Sequence, residues 1–159
     1  MLSPMVDQLR KIIEASVMLF DPNRESAKIT RSALQRAGIL ELRYHLDVEA
    51  AKVYVKESNP ELVIVDLSPD IQEFSVDLMR HIRSKITEKS PRILALLGTG
   101  APDGLKTAIA NGADIVVVKP LIPDTLQKKV EYLMDTPQDY IRITGYFGPD
   151  PKRLEKRNK

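Results

Sequence analysis

The chain has 159 residues, of which 43% are hydrophobic and 29% charged, and its formal net charge is +2; this is the composition of one soluble globular domain. It contains no cysteine, which excludes disulfides, thiol nucleophiles and thiolate metal sites. No apolar stretch approaches the roughly 20 residues of a membrane span, and we find no export signal, so we expect a cytoplasmic protein without a membrane partner.

The first predicted element is an N-terminal amphipathic helix within residues 1–14. Met5, Leu9, Ile12 and Ile13 recur at helical spacing and form one apolar stripe. We expect this helix either to cap the domain that follows or to pair with a second copy of the chain, as a homodimer.

Residues 15–135 alternate short apolar runs with amphipathic stretches, as expected for one α/β domain. The runs predicted as strands lie at 16–20, 40–46, 62–65, 93–97 and 115–118. Four of them are almost continuously apolar, which predicts strands buried on both faces, whereas 40–46 alternates and predicts an edge strand. Apolar residues at helical spacing follow each run. This (βα)5 order predicts a doubly wound, parallel five-stranded sheet of order 2-1-3-4-5, the flavodoxin-like topology.

Polar residues follow these strands at their carboxyl ends, where parallel α/β sheets bind ligands. Asp21 follows strand one, Asp66 strand three and Lys119 strand five, while Gly98 and Thr99 follow strand four. Two carboxylates can hold a hard divalent cation, and one of them can attack a phosphoryl group whose charge a lysine would neutralise. The pattern indicates a phosphoryl site with Asp66, on the central strand, as nucleophile.

Three features together resemble the CheY-like receiver domain of bacterial two-component response regulators. They are Asp21 after an apolar strand, Asp66 after LVIV, and the segment GADIVVVKP at 112–120. The resemblance covers about residues 15–135. It implies that Asp66 is the phospho-accepting aspartate and that the Lys119–Pro120 bond is cis.

The resemblance also implies roles for the other residues at the strand ends. Asp21, Asp66 and the backbone carbonyl of Ser68 would hold Mg²⁺. Lys119 would bind the phosphoryl group. Gly98 and Thr99 are further candidates for binding it because they follow strand four, and Thr99 could replace the usual hydroxyl only if its loop shifts.

Four positions depart from the receiver pattern. Pro22 stands where a second acid is usual, Leu97 where Ser or Thr is usual, Val116 where an aromatic residue is usual, and Ser75 where glycine is common. We therefore expect weak Mg²⁺ binding. The missing hydroxyl removes a hydrogen bond to a charged oxygen, which contributes about 1.5–3 kcal/mol.

These features predict a single-domain response regulator rather than an enzyme. It would accept a phosphoryl group on Asp66 from a histidine kinase or a histidine phosphotransfer protein, and act by docking on a downstream protein target. The alternative is a pseudo-receiver, a protein interaction module that works without phosphorylation. A flavodoxin-like cofactor binder is the remoter possibility, because no phosphate-cradling glycine loop is present.

Residues 136–159 are a C-terminal extension that mixes β-forming residues with Gly and Pro and then becomes basic. The sequence leaves two interpretations open, an ordered arm on another subunit or disorder. We expect no DNA-binding domain here, and no nucleic-acid binding by the domain itself, because the excess of bases lies at the end of the tail.

Overall fold

The computed structural model describes residues 3–85, 89–98, 103–136, 139–150 and 152. A parallel sheet forms its centre, and its strands are β1 (Val17–Phe20), β2 (Leu42–His45), β3 (Leu62–Asp66), β4 (Arg92–Leu97) and β5 (Ile115–Val118). The five strands are hydrogen-bonded in the order β2-β1-β3-β4-β5. The predicted fold class, strand order and edge position of β2 are therefore confirmed.

In the described part of the chain, six helices accompany the sheet: α1 (Pro4–Glu14), α2 (Arg24–Arg36), α3 (Val48–Ser58), α4 (Gln72–Ser84), α5 (Gly104–Ala110) and α6 (Pro123–Asp135). Apolar residues of α3, α4 and α5 pack on one face of the sheet, and those of α1, α2 and α6 pack on the other. The strands β1, β3, β4 and most of β5 are thus buried on both faces, which explains their continuous apolar runs, whereas the edge strand β2 is partly exposed.

Side-chain caps fix where the helices begin. Asn23 accepts a hydrogen bond from the backbone N–H of Ser26 at 3.0 Å, and Asp47 accepts one from Ala50 at 2.9 Å, so each satisfies a free donor in the first turn. Apolar residues at helical spacing over 74–87 predict a helix there, but α4 ends at Ser84, where Lys85 takes an extended conformation. Residues 86–88 lie outside the described part of the chain.

Helix α1 packs against α6 rather than standing free. Ile12 is 1% exposed in the core, and the Lys11 amine pairs with Asp135 at 2.7 Å. The predicted apolar stripe is divided, because Met5 is 68% exposed while Ile12 is buried. The helix therefore covers one face of its own domain, and its role in a homodimer stays a prediction.

Residues 139–150, for which the sequence left an arm on another subunit and disorder open, contain an antiparallel hairpin that packs on its own chain. Its strands are β6 (Tyr140–Ile143) and β7 (Tyr146–Pro149), and β7 contacts α4. Gly145, in the turn between them, has a φ of 78°, a conformation that favours glycine. Within the described residues, no helix combines the length and apolarity needed to cross a membrane.

Candidate functional site

The carboxyl ends of the central strands bring the three predicted charged residues together. Phe20 is in register with Val65, so Asp21 and Asp66, which come next, lie at neighbouring strand ends, and both are 0% exposed. Lys119 directly follows β5, and its amine contacts Oδ2 of Asp66. The Lys119–Pro120 peptide bond is cis, as predicted.

Donors from three residues hold Asp66 in place. Its Oδ1 accepts hydrogen bonds from the Ser68 backbone N–H at 2.8 Å and from the Ser68 hydroxyl at 2.5 Å. Its Oδ2 faces the amine of Lys119. Its backbone carbonyl accepts a hydrogen bond from the hydroxyl of Ser75, on α4, at 2.5 Å. Both carboxylate oxygens of the predicted nucleophile are thus already bonded within the protein.

The Asp21 carboxyl is incompletely satisfied. Its Oδ1 accepts the backbone N–H of Asn23 at 2.9 Å, but its buried Oδ2 has no hydrogen-bond partner among the described residues. Burial raises the pKa of Asp21; the Ser26 hydroxyl and the Asn23 N–H oppose the rise, and the Asp66 charge adds to it. A buried oxygen without a partner requires an explanation, and a bound cation is one that fits this oxygen.

The site offers a cation few carboxylate ligands. Asp21 and Asp66 supply oxygen ligands of the kind that Mg²⁺ prefers, whereas Pro22 supplies none. No described group of three His, Cys, Asp or Glu side chains could hold a metal ion. The backbone carbonyl of Ser68, predicted as a metal ligand, accepts the N–H of Ile71 at 3.0 Å and keeps one lone pair.

The end of β4 offers space but no hydroxyl in the described residues. A Cβ built on Gly98 would meet no atom within 4 Å. Leu97 is 5% exposed in the core, and its side chain lies against Gly104, so it contributes no polar group. Thr99, predicted to bind the phosphoryl group, lies outside the described residues.

Sequence reasoning missed three serine hydroxyls at this site. Ser26 Oγ lies 3.4 Å from the Lys119 amine, Ser68 Oγ bonds the Asp66 carboxylate, and Ser75 Oγ bonds the Asp66 carbonyl. A signal existed for Ser26: it comes three residues after the helix-capping Asn23, which places it in the first turn of α2 beside strand one. The contacts of Ser68 and Ser75 depend on how the loop after Asp66 folds, which the sequence does not reveal.

No family model matches the chain. Chemotaxis protein CheY1 of Helicobacter pylori is 25% identical to it over 124 residues, 76% of this chain and 97% of that protein. The structure is similar to that of a response regulator from Thermotoga maritima, with a TM-score of 0.62 and 23% identity, covering 77% of this chain and 98% of that one. A response regulator receiver domain from Bermanella marisrubri has a TM-score of 0.62 and 22% identity, covering 76% and 98% respectively.

Proposed function

We propose that this chain, which has the fold of CheY-like response regulator receivers, accepts a phosphoryl group on Asp66 in two-component signalling and acts by docking on a downstream protein. The observation that carries the proposal is the contact of the Lys119 amine with the Asp66 carboxylate, beside the buried carboxyl of Asp21. The phosphoryl donor would be a phosphohistidine of a histidine kinase or a histidine phosphotransfer protein. This role places the chain in the cytoplasm.

The proposed transfer forms one bond and breaks another. A carboxylate oxygen of Asp66 attacks phosphorus, the P–N bond to the donor imidazole breaks, and the imidazole leaves with the electron pair, so that an acyl phosphate forms on Asp66. The Lys119 ammonium would neutralise charge on the phosphoryl oxygens, because it already contacts the same carboxylate. The chain is the acceptor in this reaction and is not proposed to turn over a substrate.

We propose that Asp21, Asp66 and the Ser68 carbonyl hold Mg²⁺ when it binds. The cation would supply charge neutralisation at the phosphoryl oxygens. Support comes from Oδ2 of Asp21, which is buried and lacks a partner among the described residues. Binding is expected to be weak because Pro22 provides no carboxylate.

The alternative proposal, a phosphorylation-independent interaction module, has one observation in its favour. Both oxygens of the Asp66 carboxylate are engaged by Ser68 and Lys119, and the residue is 0% exposed. An incoming phosphoryl donor would have to displace at least one of these contacts.

A phosphorylation assay separates the two proposals. The chain is incubated with Mg²⁺ and acetyl phosphate and its intact mass is measured; we expect the added mass of one phosphoryl group. Asp66→Asn should not gain this mass, because an amide is not a nucleophile of this kind. Absence of the added mass from the unaltered chain, with partner binding retained by Asp66→Asn, would favour the interaction module.

A further inference from the structure

The hairpin and the end of α4 enclose a groove away from the Asp66 site. Two adjoining cavities form it, with volumes of about 480 and 580 Å³. Both are lined by the end of α4 and by the hairpin turn, through Arg83, Ser84, Gly145, Tyr146 and Phe147. Arg80 lines the first cavity only, and Arg142 lines the second only.

Buried contacts fix the hairpin wall of this groove. The Tyr140 hydroxyl lies 3.0 Å from each carboxylate oxygen of Asp114. The guanidinium of Arg83 lies over the Tyr140 ring, 4.7 Å from the ring centroid. Gly148 approaches the turn before β5 closely, because a Cβ on it would lie 3.3 Å from Cα of Gly112. The groove is therefore bounded by two anchored walls.

The arginines of the groove differ in how they are used. Arg83 is 6% exposed, and its guanidinium is already bonded within the protein. It pairs with Asp114 at 2.7 Å and donates to the Gly112 carbonyl at 2.9 Å. Arg80 donates from Nε to the Asn111 side chain at 3.0 Å, and Arg142 lies over the ring of Phe147 at 5.7 Å. Neither Arg80 nor Arg142 forms an ion pair with any described residue.

The division of charge indicates what kind of ligand fits. No carboxylate of a described residue lines either cavity, so two guanidinium groups have no compensating charge within the described part of the chain. They line different cavities, and a compact anion such as phosphate would meet only one of them. An extended chain with several carboxylates can pair with both, and arginine forms bidentate hydrogen bonds with carboxylates.

We propose that this groove binds an acidic, extended segment of a partner protein, with Arg80 and Arg142 each pairing with a carboxylate. The groove borders the turn that precedes β5, at the amino ends of the strands, whereas Asp66 lies at the carboxyl end of β3. The two sites therefore lie at opposite ends of the parallel strands. Binding of the acidic segment requires no phosphoryl group, and its test is independent of the phosphorylation assay.

The test uses the full chain and an eight-residue peptide of alternating glutamate and glycine. Titration is followed by the backbone amide signals in NMR, and we expect saturable shifts at Ser84, Gly145 and Phe147 that weaken as salt is added. Arg142→Gln and Arg80→Gln should each weaken binding about fivefold, and the double variant should lose the shifts. A peptide with glutamine in place of glutamate should cause none.

Arg31→Gln is the matched control, because Arg31 is also an arginine over an aromatic ring, 5.2 Å from the centroid of Tyr44, but lies on α2. It should bind the acidic peptide as the unaltered chain does. Equal weakening by Arg31→Gln and Arg142→Gln would overturn the proposal, since the attraction would then be general. Tighter, arginine-dependent binding of inorganic tripolyphosphate would overturn the assignment to an acidic peptide.

Discussion

At the scale of single residues, the Asp66 carboxylate is held by more donors than its predicted role requires. The strand-end pattern predicted that Lys119 lies near the Asp66 carboxylate. It did not predict the hydrogen bond from the Ser68 hydroxyl to Asp66 Oδ1 at 2.5 Å. A hydrogen bond to a charged group contributes about 1.5–3 kcal/mol. The hydroxyl therefore stabilises the carboxylate in the state that has not reacted.

Ser68→Ala tests whether this hydroxyl restrains the nucleophile. We expect the acyl phosphate to form about tenfold faster from acetyl phosphate, since one charged hydrogen bond no longer has to be broken. The rate is measured by intact mass over time. Ser84→Ala is the control, because the Ser84 hydroxyl bonds the carbonyl of His81 on α4 and not Asp66. An unchanged rate in Ser68→Ala would show that the Ser68 hydroxyl does not restrain the nucleophile.

Asp21 gives a prediction about pH. Its pKa is raised, first by burial, so the folded state holds its proton to higher pH than the unfolded state does. The unfolded state then binds fewer protons, and this group makes the folded state less stable as pH rises from its ordinary value of 3.8 through the raised pKa.

Asp21→Asn removes that charge and should stabilise the chain at pH 7. We expect a gain of about 1–3 kcal/mol, because the variant no longer buries a charge and its amide oxygen can still accept the Asn23 N–H. Urea unfolding at neutral and at acidic pH measures the difference, which should shrink on acidification. The same variant should abolish any stabilisation by added Mg²⁺, and a pH-independent difference would contradict the assigned cause.

At the scale of elements, the C-terminal hairpin is attached by a buried polar network. Tyr140 on β6 donates to Asp114, which also pairs with Arg83 at the end of α4. Burial raises the pKa of the Tyr140 hydroxyl above its ordinary value, so this group stays a donor at neutral pH. The network joins three elements that are distant in sequence.

Tyr140→Phe should destabilise the fold, because Asp114 loses a donor while remaining buried. The expected loss is about 1–3 kcal/mol in the free energy of unfolding, measured by urea denaturation. Tyr44→Phe is the control, since the Tyr44 hydroxyl on β2 makes no hydrogen bond within the described residues. Equal effects of the two variants would mean that the hydroxyl of Tyr140 contributes nothing.

Helix α1 carries the prediction about self-association. Met5 and Ile13 are 68% and 44% exposed, and an apolar surface of this kind favours pairing. If the chain is a homodimer through α1, Met5→Lys together with Ile13→Lys should halve the mass measured by light scattering. Exposed Val53→Lys, on α3, is the control; a dimeric mass in both variants would exclude α1 as the interface.

The strand pattern and strand-end rule were sufficient to predict the sheet order and the meeting of Asp21, Asp66 and Lys119. Continuous apolarity follows directly from burial on both faces, and parallel strands align their carboxyl ends. The hairpin was not predictable, because Gly and Pro among β-forming residues suit both order and disorder. Arg83 and Asp114 were missed because their pairing spans 31 positions, and local periodicity carries no information about such pairs.

At the scale of the whole molecule, α4 runs between the carboxyl ends of the strands, where Asp66 lies, and their amino ends, where the groove lies. It begins six residues after Asp66, its Ser75 hydroxyl bonds the Asp66 carbonyl at 2.5 Å, and Arg83 near its end lines the groove beside the hairpin. The contacts of Ser75 and Arg83 make α4 a candidate route between the Asp66 site and the groove. Coupling along such a route has to be shown by measurement.

Beryllofluoride titration with Mg²⁺, followed by NMR, measures this coupling. If phosphorylation is relayed through α4, backbone amide shifts should appear at Ser68 and also at Ser84 and Gly145, and Ser75→Ala should keep the first while losing the other two. Ser75→Ala removes the hydrogen bond to the Asp66 carbonyl, which is the one bond that the Ser75 hydroxyl makes among the described residues. If the shifts at Ser84 persist in Ser75→Ala, the Asp66 site and the groove are coupled by another path, since no other described hydrogen bond joins α4 to Asp66.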